Sequence, residues 1–259
     1  MERIERAEFE RGHIGPDDVP VAPRPAATVV LARPAQREFE VLLLRRPANS
    51  RFAAGAFVFP GGAIDREDGA ESLQEVLPAL DHPEQRPALA AAIRELFEET
   101  GILPADRVPS LAVRSEARER LLRGEANLPR IVRELDLCFR RLEVIYMARW
   151  ITPALLARRY DTRFFLMRHA GGEPVLSPEH TGHLWVSPRV GLARFRAREL
   201  PMLLPTWKTL EMLDGYPDLD EAMRALAVSE VVPILARLAI QEGVVRPVMP
   251  DDPGYESAE

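Results

Sequence analysis

Arg94-Glu95-Leu96-Phe97-Glu98-Glu99-Thr100-Gly101-Ile102 is the stretch of this chain best equipped for chemistry. On a helix Glu95, Glu98 and Glu99 fall at i, i+3 and i+4, within one turn, where like charges repel by about a few tenths of a kcal/mol per pair. A divalent cation reverses that cost. Hard oxygen donors of this kind suit Mg²⁺ or Mn²⁺, which keep several waters and bind phosphates readily. Acids at this spacing alone are most often a solvated helix face, but here the preceding sequence points elsewhere. Phe59-Pro60-Gly61-Gly62 sets a glycine turn ahead of the acidic helix, as a phosphate site requires, and Asp68 lies six residues after Gly62.

A helix over residues 88–100 must carry these carboxylates. Its residues are good helix formers, Pro87 suits the entry and Gly101 the C-terminal cap. At 100° per residue Leu89, Ile93, Leu96, Phe97 and Thr100 share one face, and the three glutamates gather on the opposite one. Apolar, β-rich runs over 28–31, 39–44 and 56–59 read as strands before the glycine turn. Residues 63–87, with Pro78, Pro83 and Pro87, read as a loop holding one short helix near 73–80. Further on, the pattern predicts a helical region over 115–135, a strand over 143–150, a short helix over 153–158 and a strand over 161–167. A short strand over 184–186 follows, then helices near 189–196, 205–213, 218–227 and 229–241. Strands with helices between them indicate α/β packing.

The chain has 259 residues, 46% of them hydrophobic and 29% charged, with a net charge of -6. That is the composition of a globular protein able to bury a substantial core. No apolar run reaches the length of a membrane span, and the acidic balance argues against nucleic-acid binding. Residues 1–20 carry acids and lack an apolar leader core, so no secretory signal is expected. One cysteine, Cys138, excludes a disulfide framework and reads as a small buried hydrophobe, consistent with a reducing cytoplasm. Lys208 is the one lysine, so an anion cradle in this chain would use arginine forks.

Residues 94–102 resemble the signature of the Nudix hydrolases, which runs Gly, five residues, Glu, seven residues, then Arg-Glu-U-x-Glu-Glu-x-Gly-U with U aliphatic. Every fixed position of its second half is matched. In the first half Asp68 takes the place of the glutamate, and 25 residues separate it from Arg94. The insertion of 18 falls in the predicted loop, where it can bulge outward. Leu42 to Gly62 is similar to the motif preceding the box in coenzyme A diphosphatases, keeping Arg46, Arg51, Gly55 and Phe59 in register while Leu44 and Pro47 depart from it. Arg46 at a strand end and Arg51 in the next loop could reach nucleotide phosphates. Residues 148–166 and 204–207 are also similar to the branch typified by the peroxisomal nudix 19 type, which carries a long insertion in its box.

The resemblance implies a Nudix α/β/α sandwich with a mixed sheet, an insertion inside the box and extra C-terminal helices. It divides the chain into an arm over 1–24, a single domain over 25–245 and a tail over 246–259. The implied activity is Mg²⁺- or Mn²⁺-dependent hydrolysis of a diphosphate, with coenzyme A or acyl-coenzyme A the leading substrate and NADH or ADP-ribose the alternative. A third class, a nucleotide-sensing module without catalysis, gives no physical reason to keep a repulsive acid cluster. Metal ligands implied are Glu98, Glu99 and the Gly61 carbonyl, with Glu95 a further ligand or the general base and Arg94 orienting it. Glu179, six residues before Trp185, is a candidate late ligand or base; Gly62 joins Arg46 and Arg51 as a substrate contact. His180 and His183 lack a zinc spacing and read as loop contacts or substrate hydrogen bonds. Dimerisation is common among Nudix relatives, and only that analogy bears on a homodimer here. The closing Glu256-Ser257-Ala258-Glu259 carries no peroxisomal address.

Overall fold

Val29, Val30 and Leu31 are wholly buried, and so are Val41, Leu42, Leu43 and Leu44. Consecutive residues of a strand point to opposite faces, so such runs require a sheet covered on both sides. The computed structural model describes residues 4–5, 20–36, 38–50, 53–241 and 244–258. In chain order its elements are β1 (Ile4–Glu5), β2 (Arg24–Pro34), β3 (Phe39–Arg45), β4 (Phe57–Val58), β5 (Gly61–Ala63), α1 (Glu71–Gln74), α2 (Arg86–Thr100), α3 (Leu111–Leu122) and α4 (Leu128–Glu134). There follow β6 (Val144–Ile151), β7 (Tyr160–Arg168), β8 (Gly182–Val186), α5 (Pro188–Arg196), α6 (Leu204–Asp214), α7 (Leu219–Ala227), β9 (Pro233–Leu235), β10 (Arg237–Gln241) and β11 (Val244–Val248).

The main sheet runs β4-β3-β2-β7-β6-β9, with β5 on β2 and β8 on β3. β2 and β7 are parallel, as are β6 and β9, while β2–β3 and β6–β7 are antiparallel, so the sheet is mixed. Ala27, Val29, Leu31, Leu42 and Leu44 face Leu89, Ile93, Leu96 and Phe97 of α2. From the other face Val30, Ala32, Val41 and Leu43 pack on Leu192, Leu210, Leu213 and Met223 of α5, α6 and α7. This is the mixed-sheet α/β/α sandwich that the resemblance implies. Asp161 ties β7 to β6 by accepting two 2.7 Å bonds from Arg149, with Arg163 3.0 Å away. No helix among the described residues is long and apolar enough to cross a membrane.

Several elements differ from the sequence pattern. The helical region expected over 115–135 is two helices, because Gly124 leaves the helix with φ +68° and the Asn127 side chain caps a fresh start. The short helix expected over 153–158 is a turn, with Leu156 N donating to Pro153 O at 3.3 Å. The helix expected over 229–241 is β9 and β10 instead. Val231, Val232 and Ile234 are β-branched and Pro233 cannot supply a helical N–H, so this segment joins the edge of β6. The boundary expected at 245 falls inside β11, which pairs with β1 of the expected arm and with β10. Cys138 is half-buried rather than buried, its sulfur 3.9 Å from the Val76 carbonyl.

Phe165, wholly buried, sits where β7 meets α2's side of the sheet. Phe165→Ala is expected to cost about 3–5 kcal/mol in chemical denaturation. Val228→Ala, at a residue 87% exposed, should stay within about 0.5 kcal/mol. Equal losses would remove Phe165 from the core.

Candidate active site

The site begins with two glycines that a side chain could not replace. β5 lies against β2, pairing Thr28 with Gly61 and Ala27 with Gly62. A Cβ on Gly61 would fall 2.4 Å from the Ala27 carbonyl oxygen, and one on Gly62 would fall 2.4 Å from Glu95 Oε1. Close approach of β5 to α2 therefore depends on both. It also brings the Gly61 N–H to Glu99 Oε2, a 3.0 Å hydrogen bond.

Arg94 is the hub. Its Nε and Nη2 donate to the two oxygens of Asp68, each at 3.0 Å, and Nη2 also donates to the Ala63 carbonyl at 2.8 Å. Its Nη1 donates to Glu95 at 2.7 Å and Glu98 at 3.3 Å. Asp68, 1% exposed, sits on a 3-10 turn (Arg66–Gly69) closed by a capping box with Asp65. The 25-residue spacing thus leaves the Arg94 partner in place. Rather than bulging outward, the insertion sends Leu73 and Leu77 into the core beside α2.

The glutamates do not occupy a solvated face. α2 is buried nearly all round, Glu99 is 8% exposed, and the three acids face β5 and the Asp68 turn. Burial and the neighbouring Glu98 charge, opposed by Arg94, raise the Glu95 pKa to about 7. Burial also raises Glu98 against the pull of Arg94, and burial with the Glu95 charge pushes Glu99 well above the carboxylate range. Burial works against the Arg94 charge, but Asp68, Glu95 and Glu98 outweigh it and hold the guanidinium above its usual value. Among the described residues no three acid, cysteine or histidine side chains stand together as a group that could hold a metal ion without rearrangement. The oxygens of Glu95, Glu98 and Glu99 nonetheless form a hard donor set in one turn, with an electrostatic surplus that a cation would relieve.

The C-terminal end of α2 is fully strapped. Gly101, with φ 68°, donates to the Phe97 carbonyl. Arg118 donates twice to the Glu98 carbonyl, at 3.0 and 2.8 Å; Ser177 N donates to Glu99 O and Val175 N to Thr100 O. Arg118 also sets a positive charge against the helix terminus. Sequence reasoning missed it, because one arginine among many on α3 carries no spacing signal.

The same strap brings Glu179 near enough for its charge to raise Glu99 further, although its own side chain is exposed. His180, next along, is buried with Nε2 3.7 Å from Glu99 Oε1. Burial and the Arg46 charge hold its pKa down to about 4, so the ring is neutral and the contact is not an ion pair. Arg46 is thus drawn to the same corner. Arg51 lies outside the described residues. Gly62 stands against Glu95; its contact with substrate remains an expectation.

A family model described as NUDIX domain matches residues 22–202. Acyl-coenzyme A diphosphatase NUDT19 of Gallus gallus is 27% identical over 76% of this chain and 70% of that protein. The Xenopus laevis protein of the same name is 23% identical over 83% of this chain and 71% of its own. The crystal structure of a NUDIX hydrolase from Alicyclobacillus acidocaldarius superposes with a TM-score of 0.68 at 30% identity, covering 81% of this chain and 99% of that one.

Two predictions follow from the buried charges. Asp68→Ala leaves the buried Arg94 Nε without its partner and removes one of the two acceptors of Nη2, and should cost about 3–5 kcal/mol in denaturant unfolding, the scale for breaking a buried pair. A loss under about 1 kcal/mol would remove the clamp from the stability of the site. Separately, a carboxyl whose folded pKa is raised binds more protons folded than unfolded, so its contribution to stability falls as pH rises from 4.5 to about 7. His180, depressed from 6.5 to about 4, acts in the opposite sense, its contribution rising across that interval. Comparing thermal unfolding of wild type and Glu95→Gln in chelator isolates Glu95. The wild type should lose more stability between 4.5 and about 7 than the variant; identical slopes would contradict the shift.

Proposed function

The chain belongs to the NUDIX domain family, and from that premise we propose a Mg²⁺- or Mn²⁺-dependent hydrolase of coenzyme A or acyl-coenzyme A that releases 3',5'-ADP and (acyl-)4'-phosphopantetheine. The observation that carries the chemistry is the single turn holding Glu95, Glu98 and Glu99, each pushed toward its protonated form by burial. Support for the substrate is the register of Arg46, Arg51, Gly55 and Phe59 and the likeness to proteins named acyl-coenzyme A diphosphatase.

In this reading Glu98, Glu99 and the Gly61 carbonyl would hold the ion, and Glu95 would be a further ligand or the base. When bound, Mg²⁺ or Mn²⁺ neutralises charge on the diphosphate oxygens and lowers the pKa of an attacking water. Arg94, fixed from behind by Asp68, holds Glu95 through Nη1. Burial raises the Glu95 carboxyl in the chain without an ion, and a bound cation would draw it toward the ionised form that a ligand or base requires. Glu179, whose charge lies near enough to Glu99 to raise it, would act in this reading as a late ligand or base. Arg46 and Arg51 bind phosphate oxygens of the nucleotide half through charge-assisted bonds. Gly62, which has no room for a side chain beside Glu95, would meet the substrate through its backbone.

Incubation with Mg²⁺ or Mn²⁺ and a panel of coenzyme A, acetyl-coenzyme A, NADH and ADP-ribose, read by mass spectrometry, tests the substrate. Accumulation of 3',5'-ADP is the expected result. Cleavage of NADH or ADP-ribose alone would keep the metal site and discard the coenzyme A reading, and no cleavage at all would leave a nucleotide-sensing module. Glu98→Gln should lower turnover by about a hundredfold or more while leaving the circular dichroism spectrum unchanged, as expected when a group acting at the reacting centre is lost. Full turnover in that variant would overturn the ligand assignment.

A further inference from the structure

Among the described residues neither ring nitrogen of His180 has a hydrogen-bond partner, although the side chain is only 2% exposed. Burying two unpaired ring nitrogens is costly, because each gives up its hydrogen bond to water and receives none in return. The ring is not there by slack in the loop. Ser177 N holds the Glu99 carbonyl at 2.9 Å, His180 N donates to Ser177 O at 3.1 Å, and Thr181 N donates to Arg45 O at 2.9 Å. Backbone bonds on both sides of His180 therefore tie it between the end of α2 and the end of β3.

We propose that His180 is a positioning residue for Glu99: its Nε2–H donates to Glu99 Oε1 and fixes the plane of that carboxylate for metal binding. The inference rests on the reading above in which Glu99 is a ligand. The separation of 3.7 Å is just beyond a hydrogen bond, so a small side-chain rotation closes it. Glu99 Oε2 already accepts from the Gly61 N–H at 3.0 Å. A carboxylate offers about four lone-pair sites, so one donor on each oxygen still leaves each oxygen a lone pair for a cation. An imidazole Nε2–H is a directed donor on a ring whose position the flanking backbone bonds fix, so it can hold one oxygen of Glu99 in plane while the remaining lone pairs stay open to the ion. Partners of ligating carboxylates that act in this way govern metal affinity without touching the ion.

Mn²⁺ binding to the full chain, followed through the electron paramagnetic resonance signal of the free ion, reads this role apart from turnover. His180→Gln places an amide N–H near the Nε2 position, whereas His180→Asn offers one near Nδ1. His180→Asn should weaken Mn²⁺ binding about 10- to 100-fold and His180→Gln no more than about threefold, and His180→Asn should add no loss in the Glu99→Gln background. Wild-type affinity in His180→Asn, equal losses in the two variants, or a full loss persisting on Glu99→Gln would overturn the proposal. Should His180→Asn fail to fold by circular dichroism, His180→Gln decides alone, a loss of about tenfold or more overturning the role and near-wild-type binding supporting it. A wild-type chain that binds no Mn²⁺ would instead bring down the metal reading itself. An intact wild-type affinity that Glu99→Gln weakens and His180→Asn does not would bring down this inference alone.

Discussion

The buried guanidinium of Arg94 constrains the rest of the site. A charge 7% exposed cannot remain in a protein interior unless its donors are matched, and here Asp68, the Ala63 carbonyl, Glu95 and Glu98 together take them up. The partners come from three pieces of chain: a 3-10 turn, the end of β5 and α2 itself. The guanidinium therefore sets the distance between the glycine turn and the helix, and the planar fork fixes the angle as well. With that distance set, only glycine fits at 61 and 62, and Glu99 falls within reach of the Gly61 N–H.

Two opposed tendencies then coexist in one turn. Burial and mutual repulsion drive Glu95, Glu98 and Glu99 toward neutrality, while Arg94 draws Glu95 and Glu98 toward ionisation. Such a turn would be a poor choice on stability grounds alone, since apolar residues packed on the sheet would hold α2 without any charge to desolvate. The sheet beneath it is what makes the arrangement tolerable. Covered on one face by α2 and on the other by α5, α6 and α7, it supplies apolar burial to both sides and leaves the acid turn free to be locally unfavourable.

How much of this was legible in the sequence depends on the range of the interaction. The strands through Val30 and Leu43, the helix ending at Gly101 and the acid spacing are local patterns, and the structure keeps them with ends shifted by a few residues. What could not be read are contacts closed by the fold. Asp68 is separated from Arg94 by an insertion whose packing, through Leu73 and Leu77, no local pattern reveals. Arg118 reaches the Glu98 carbonyl from α3, and His180 comes to Glu99 on a loop 81 positions away. The error over 229–241 has a different cause. Apolar residues there satisfied a helical period, but β-branched side chains and Pro233 favour an extended edge, and the edge of β6 was open to receive it.

The insertion shows why box length can vary without loss of the site. What must be conserved physically is the meeting of a carboxylate with the Arg94 fork, and a meeting of two side chains sets no limit on the chain between them, since doubling a loop adds only about 0.6 kcal/mol of closure entropy. A shorter acid changes the geometry more than a longer loop does. Asp68 has one methylene fewer than glutamate, so its backbone must stand closer to Arg94, and the 3-10 turn with its Asp65 capping box holds it there. The residues that follow then pack on α2 through Leu73 and Leu77, and the Gln74 amide donates back to the Asp68 carbonyl at 2.9 Å. The added segment thus braces the turn whose reach the shorter side chain made critical, and the departure in residue type and the departure in spacing are two parts of one structural adjustment.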